Sequence, residues 1–362
     1  MNPILKYIEN LFAKKRVLGN DPLLNGLVEA DRLLLDLVSE EKIPGLAITV
    51  LKQGESFFQK GYGLYDRERK LPVDPQSSVF RIASVSKPIA ATALAYMVGD
   101  NLIDLDASFY AYVPYFPKKK YDFTIRQLAS HTAGIRGYRG IEYGLNKPYT
   151  IKEGIEIFKD DELLFKPGTD YLYNSFDWVL ISLAMQEVSG MPFETYVQER
   201  VLAPLGMDRT SWPDLGHTQV EPCFYSKNKR GFRKAIPVNN HYKMAGGGFL
   251  STTPDIAKFG QAYLEGRVLT PSLRNEFLRA QKVDGSSIYY GLGWQVSQDA
   301  QGRPYYGHVG NGVGGYSNFF VYPEEEMVFS ILINCTDPKV QPELDVVIDC
   351  LIRSKEGRSA LL

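Results

Sequence analysis

The sequence predicts an α+β fold: an antiparallel sheet flanked by helices, with an inserted, mainly helical domain. Three observations lead there. An apolar run at 46–51 is followed, after the turn Lys52-Gln53-Gly54-Glu55, by a second strand-like run at 56–63, and so early a hairpin favours antiparallel pairing. Helical signals dominate from Ser84 to about Gly206, broken by turns at 113–117 and 165–169. Strand signals then return near the end of the chain. Strands, then helices, then strands allow both chain ends to share one sheet. The expected division is 1–83 with 245–362 as the sheet domain, and 84–244 as the helical one.

Each element has its own signal. Residues 23–38 carry apolar positions at helical spacing, and 46–51 read as a buried strand. Residues 89–98 are almost all apolar, as is the run 178–184, so each reads as a buried helix. Residues 291–296, 304–308, 316–322 and 327–333 are strand-like, with Pro323-Glu324-Glu325-Glu326 as the turn between the last two. Residues 342–352 read as a closing helix. No internal repeat or low-complexity linker is visible.

Composition narrows the function classes. The chain has 362 residues, 44% hydrophobic and 23% charged, with a net charge of −1, so nothing argues for a nucleic-acid partner. Three scattered cysteines suggest neither a disulfide framework nor a zinc site, and Cys335 and Cys350 read as buried free thiols. The four histidines show no metal-ligand spacing, and no stretch reaches the length of an integral membrane segment. Glu9 and Asn10 interrupt any secretory apolar core near the start. Ile4, Leu5, Ile8, Leu11 and Phe12 fit a small docked helix better than a membrane-surface anchor. A cytoplasmic location is the expectation, with a periplasmic or organellar one as the alternative if a targeting segment was removed.

The chemistry-bearing motif is Ser84-Val85-Ser86-Lys87. On a helix, i and i+3 share a face, so hydroxyl and amine can meet. A serine hydroxyl needs a base, and a desolvated lysine, its pKa lowered, can be one. The tetrad alone is weak evidence. The same spacing occurs at Ser39 and Lys42 and at Ser226 and Lys229, both in polar surroundings. A bare capping role for Ser84 is common for such a serine. What distinguishes Ser84 is the apolar helix that follows it, whose N-terminal end favours developing negative charge.

Other segments fall into order around this pair: Ile43-Pro44-Gly45-Leu46-Ala47, Ser130-His131-Thr132-Ala133-Gly134, Tyr173-Asn174-Ser175, Pro204-Leu205-Gly206-Met207, Ala245-Gly246-Gly247-Gly248-Phe249-Leu250-Ser251-Thr252, and His308-Val309-Gly310. With them the chain resembles the serine β-lactamase and penicillin-binding-protein superfamily, in its class C-like branch. Within that branch it is most similar to the mitochondrial serine β-lactamase-like group and its bacterial relatives. The resemblance implies a β-lactamase/transpeptidase-like fold and a serine hydrolase working through an acyl-enzyme, with no cofactor and no metal.

By the same resemblance, Ser84, Lys87 and Tyr173 are catalytic, while Ser175, His308, Gly310 and Asn311 bind substrate or form the oxyanion hole. Tyr316-Ser317-Asn318 spells the tyrosine motif more literally, but it follows the third motif and lies in a strand-like run, so its tyrosine is expected to pack in the sheet. His131 comes too early for the third motif and is expected to be structural; His217 and His241 have no evident partners. Ser175 stands where asparagine is usual and offers no carboxamide, so weak β-lactam turnover is expected. The implied substrate is a small ester, amide or peptide. Alternatives are a β-lactamase or D-amino-acid peptidase, or a non-catalytic scaffold of the same fold.

Overall fold

The computed structural model of the chain describes residues 17–19, 25–212 and 223–354. The N-terminal apolar segment and His217 lie outside the described residues. Seven strands carry the main sheet: β1 (Val17–Gly19), β2 (Gly45–Lys52), β3 (Glu55–Asp66), β4 (Gln295–Gln298), β5 (Pro304–Gly312), β6 (Gly315–Tyr322) and β7 (Met327–Ile333). Their order across the sheet is β1-β3-β2-β7-β6-β5-β4, every pair antiparallel, and the short strand Leu71–Pro72 pairs with β3 off this path. The seam is β2 against β7, in register from Leu46↔Ile333 to Lys52↔Met327. It joins the early hairpin to the late strands, as the chain order requires.

Five helices matter for the site: α1 (Asn25–Ser39), α2 (Ser86–Gly99), α3 (Phe176–Ser189), α4 (Thr253–Leu264) and α5 (Gln341–Arg353). Alternation along β2 explains the layers. Leu46, Ile48 and Val50 pack with Leu34 and Leu37 of α1 and Leu344 and Val347 of α5. Ala47 points the other way, into a core shared with α2, α3 and α4, and Thr49 Oγ1 donates to Thr253 Oγ1 at 2.9 Å. Gly260 lets α4 lie close on the sheet, since a Cβ there would sit 2.5 Å from Val328. The helical stretch also holds a hairpin, Tyr225–Asn228 with Gly231–Lys234.

α2 and α3 are apolar all round because they are covered all round: from Ile89 to Ala95 and from Phe176 to Met185 every residue is buried. One expected strand is shorter. Residues 291–294 turn instead of extending, with the Gly291 N–H donating to the Trp294 carbonyl at 2.8 Å. The turn lets Trp294 bury between Phe259 and Tyr263, ring centroids 5.8 and 4.6 Å away. Only Gln295–Gln298 remains as strand.

Candidate active site

Ser84 does not sit in α2 itself. It occupies a 3-10 turn, Ala83–Val85, that runs directly into the helix, whose N-cap is Val85. Ala83 holds φ +46°, a left-handed conformation that costs a side-chain-bearing residue on the order of 1–3 kcal/mol. This bend places Ser84 at the junction of α2 and the sheet, 9% exposed.

Lys87, in the first turn of α2, is fully buried, and its Nζ donates to Ser84 Oγ at 3.1 Å and to the Gly246 carbonyl at 2.6 Å. Loss of solvent lowers its pKa to about 7, opposed by the Asp177 carboxyl. The amine also lies 4.6 Å from the Tyr173 ring centroid.

Tyr173 leads into α3. Its ring is 37% exposed on the cleft, yet the protein around its hydroxyl raises the phenol's pKa, with a hydrogen bond to Ser84 acting the other way. The segment is pinned by its neighbour: Asn174 Nδ2 donates to the Ile135 carbonyl (3.1 Å) and to Asp177 Oδ2 (2.6 Å), while its Oδ1 accepts from the Asp177 N–H (2.8 Å). Asp177 Oδ2 also meets His131 Nδ1 at 2.8 Å. Both side chains are wholly buried, and burial pushes the carboxyl's pKa up and the imidazole's down, so a neutral pair is favoured. The His131 ring packs edge-on to Tyr173 at 4.6 Å. Ser175 is the N-cap of α3 without a side-chain cap bond, and its hydroxyl lies near Tyr138, where it acts against the burial that raises the Tyr138 pKa.

The opposite wall is β5. His308 is buried, its Nδ1 bonded to the Val309 carbonyl at 2.6 Å and its Nε2 to the Tyr290 hydroxyl at 3.0 Å. An Nδ1–H donor leaves Nε2 to accept from Tyr290, and burial lowers the pKa to about 3, so the ring is neutral. β4 covers β5 only as far as Gly307, leaving the edge from His308 onward without a ladder partner. Antiparallel alternation sends every second N–H to that edge. The Val309 N–H shows the direction, donating to Gln295 Oε1 at 3.0 Å, and the Asn311 N–H two residues on faces the same way. Gly310 lets this edge meet the Ser84 turn: a Cβ there would lie 2.3 Å from Ser317 Oγ, 2.4 Å from the Ile82 carbonyl and 3.0 Å from Ser84 N.

The fold thus groups Ser84, Lys87, Tyr173, Ser175, His308 and Gly310 around the Ser84 turn, with Asn311 next along the same strand. Sequence reasoning missed Tyr290, Tyr138, Asp177 and the Gly246 carbonyl, and it left His241 without the Glu194 carboxylate that lies 3.5 Å from its Nε2. The literal Tyr316-Ser317-Asn318 motif is architectural, as expected. Tyr316 donates to Gln341 Oε1, Ser317 to the Ile82 carbonyl, and Asn318 accepts from Gln341. Cys335 and Cys350 are buried free thiols. Among the described residues no His, Cys, Asp and Glu group could hold a metal, and no helix is long and apolar enough to cross a membrane.

Comparison with known proteins puts this geometry in context. The sequence profile described as "Beta-lactamase" matches residues 30–350. The mitochondrial serine beta-lactamase-like protein LACTB of Homo sapiens is 27% identical, over 82% of this chain and 72% of its own. Among solved structures, D-amino acid amidase from Ochrobactrum anthropi superposes with a TM-score of 0.81 at 22% identity, covering 92% of this chain and all of that one (100%). The octameric penicillin-binding protein homologue from Pyrococcus abyssi gives 0.77 at 23% identity, over 89% of this chain and 76% of that one. At these identities the structural likeness is one of fold.

Proposed function

The chain belongs to the beta-lactamase family, and from that premise we propose that it is a serine hydrolase forming an acyl-enzyme on small amide or ester substrates. The observation that carries the reading is the Ser84–Lys87 pair: a hydroxyl 3.1 Å from a wholly buried amine whose pKa falls to about 7. Such an amine is substantially neutral near pH 7. It keeps its bond to the Gly246 carbonyl and turns its lone pair to the Ser84 hydroxyl.

Ser84 Oγ attacks the carbonyl carbon as its proton passes to Lys87. The backbone N–H groups of Ser84 and Asn311 receive the oxyanion. The proton then returns, through Lys87 and the Tyr173 hydroxyl, to the departing nitrogen or oxygen. Water repeats the sequence on the acyl-enzyme. Tyr173 is a neutral relay in this scheme, because burial raises its pKa. The neutral His308 holds the leaving-group end of the cleft with Tyr290.

Amides and peptides of D-amino acids, with β-lactams, rank ahead of plain esters, since an amidase and a penicillin-binding protein homologue share the fold. Ser175 favours the amides within that group, because its short side chain offers no carboxamide to a β-lactam's acyl amide. The test is Ser84→Ala. It should abolish both turnover of D-phenylalanine amide and p-nitrophenyl butyrate and labelling by a fluorophosphonate probe, and undiminished turnover would remove the assignment. Nitrocefin turnover matching the best amide would reverse the ranking.

A further inference from the structure

Two cations near the Ser84 turn and Ser175 have no acid to answer them among the described residues. Arg81 lies three residues before Ser84; its Nη1 donates to the Val313 carbonyl at 2.7 Å and its guanidinium stacks 4.2 Å from the Phe224 ring centroid. Lys243 is only 6% exposed, and its Nζ donates to the Tyr143 carbonyl at 3.0 Å. That bond uses one of the ammonium's three donors. The Tyr138 ring centroid is 4.8 Å from the same Nζ, and Tyr138 in turn lies near Ser175. Neither cation has a carboxylate within ion-pairing distance among the described residues. Asp337, whose charge reaches Tyr143, is engaged by Lys339 at 2.7 Å.

A buried cation without a counter-charge is costly, as Lys243 is here, and the neighbouring Arg81 charge adds to that cost. Their position gives that cost a use. On the acyl-enzyme reading above, on which this step rests, the leaving group takes its proton from Lys87 and Tyr173 and so lies beside Tyr173 and His308. The acyl group must run the other way, past Asn311 toward Val313 and past Ser175. Arg81 borders the first of these paths through Val313, and Lys243 the second through Tyr138. We infer that Arg81 and Lys243 form a cationic subsite at the acyl end of the cleft, which binds a carboxylate carried by the substrate's acyl group.

A matched pair of anilides tests this. Glutaranilic acid and valeranilide are close in shape and differ in a terminal carboxylate. Binding is measured by calorimetry on Ser84→Ala, where turnover is silent. The acid should bind at least tenfold more tightly, its advantage should shrink as salt rises from 50 to 500 mM, and Arg81→Gln or Lys243→Met should each reduce it severalfold. The paired anilides and the salt series on Ser84→Ala need no charge variant, so a misfolded Lys243→Met leaves the test decisive. Equal affinities, no measurable binding of the acid, or an advantage that survives both substitutions would overturn the subsite. Fluorophosphonate labelling of Ser84 in the unsubstituted protein reports the hydrolase reading separately. Labelling without acid preference removes the subsite alone, and acid preference without labelling removes the hydrolase reading alone.

Discussion

The Gly246 carbonyl lies 2.6 Å from Lys87 Nζ, nearer than the Ser84 hydroxyl at 3.1 Å. A carbonyl accepts from ammonium and amine alike, so it fixes where the nitrogen sits without deciding its charge. Burial decides the charge.

On the proposed mechanism, Lys87 sets the pH dependence. Its folded pKa, about 7, lies below the ordinary 10.5, so turnover should rise with pH through about 7 as the amine loses its proton. The same shift acts on stability. Between about pH 7 and 10.5 the unfolded chain binds more protons than the folded one, so Lys87's contribution to stability rises with pH and its penalty is fullest below pH 7. Lys87→Met should abolish turnover and raise the melting temperature more at pH 6 than at pH 10. A flat pH–rate profile from 5 to 9 would contradict the assignment of Lys87 as base.

Gly310→Ala should separate β5 from the Ser84 turn. Its methyl would stand 2.3 Å from Ser317 Oγ and 3.0 Å from Ser84 N, distances that backbone must relieve by moving. A displaced oxyanion donor typically costs about 10²–10³ in kcat. The expected outcome is a loss of that order in fluorophosphonate labelling rate, with the variant still folded by circular dichroism.

Asp177→Ala should be strongly destabilising. It strips Asn174 Nδ2 and His131 Nδ1 of a shared acceptor inside the core, where an unmade bond costs about 1–3 kcal/mol for each group. Urea unfolding should show a loss of about 3 kcal/mol at unchanged m-value, with Asp177→Asn recovering part of it.

Tyr290→Phe should leave His308 Nε2 without its donor and cost about 1–2 kcal/mol by the same reasoning. Nitrogen-edge NMR of His308 should still report a neutral ring at pH 6, since burial, the main cause of its lowered pKa, is unchanged.

What the sequence could and could not reveal follows chain distance. Ser84 and Lys87 were legible because three residues of helix-like backbone fix their meeting, and the early hairpin and late strands were legible from alternation. Motif order favours Tyr173 over Tyr316, and Tyr316 lies in the sheet, bonded to Gln341. Tyr290 carried no such mark. It meets His308 only because residues 291–294 turn back on themselves, which their apolar and aromatic pattern did not disclose. The pairing of His131 with Asp177, and of Lys87 with Gly246, depends on how helices cross, and no local periodicity encodes a crossing. The 3-10 turn that carries Ser84 ahead of α2 was not legible, because the left-handed step at Ala83 belongs to a residue type that rarely adopts one.

The β2–β7 seam has a consequence for how the protein is made. Lys52 pairs with Met327 and Leu46 with Ile333, so the middle of the sheet cannot close until residues 327–333 have left the ribosome. Ser84 is synthesised early, but the strand that faces it, with Gly310 and Asn311, arrives late. A nascent chain therefore carries the Ser84 turn for most of its synthesis without the strand that packs against it. On the proposed mechanism, hydrolytic competence would arrive only with the last strands.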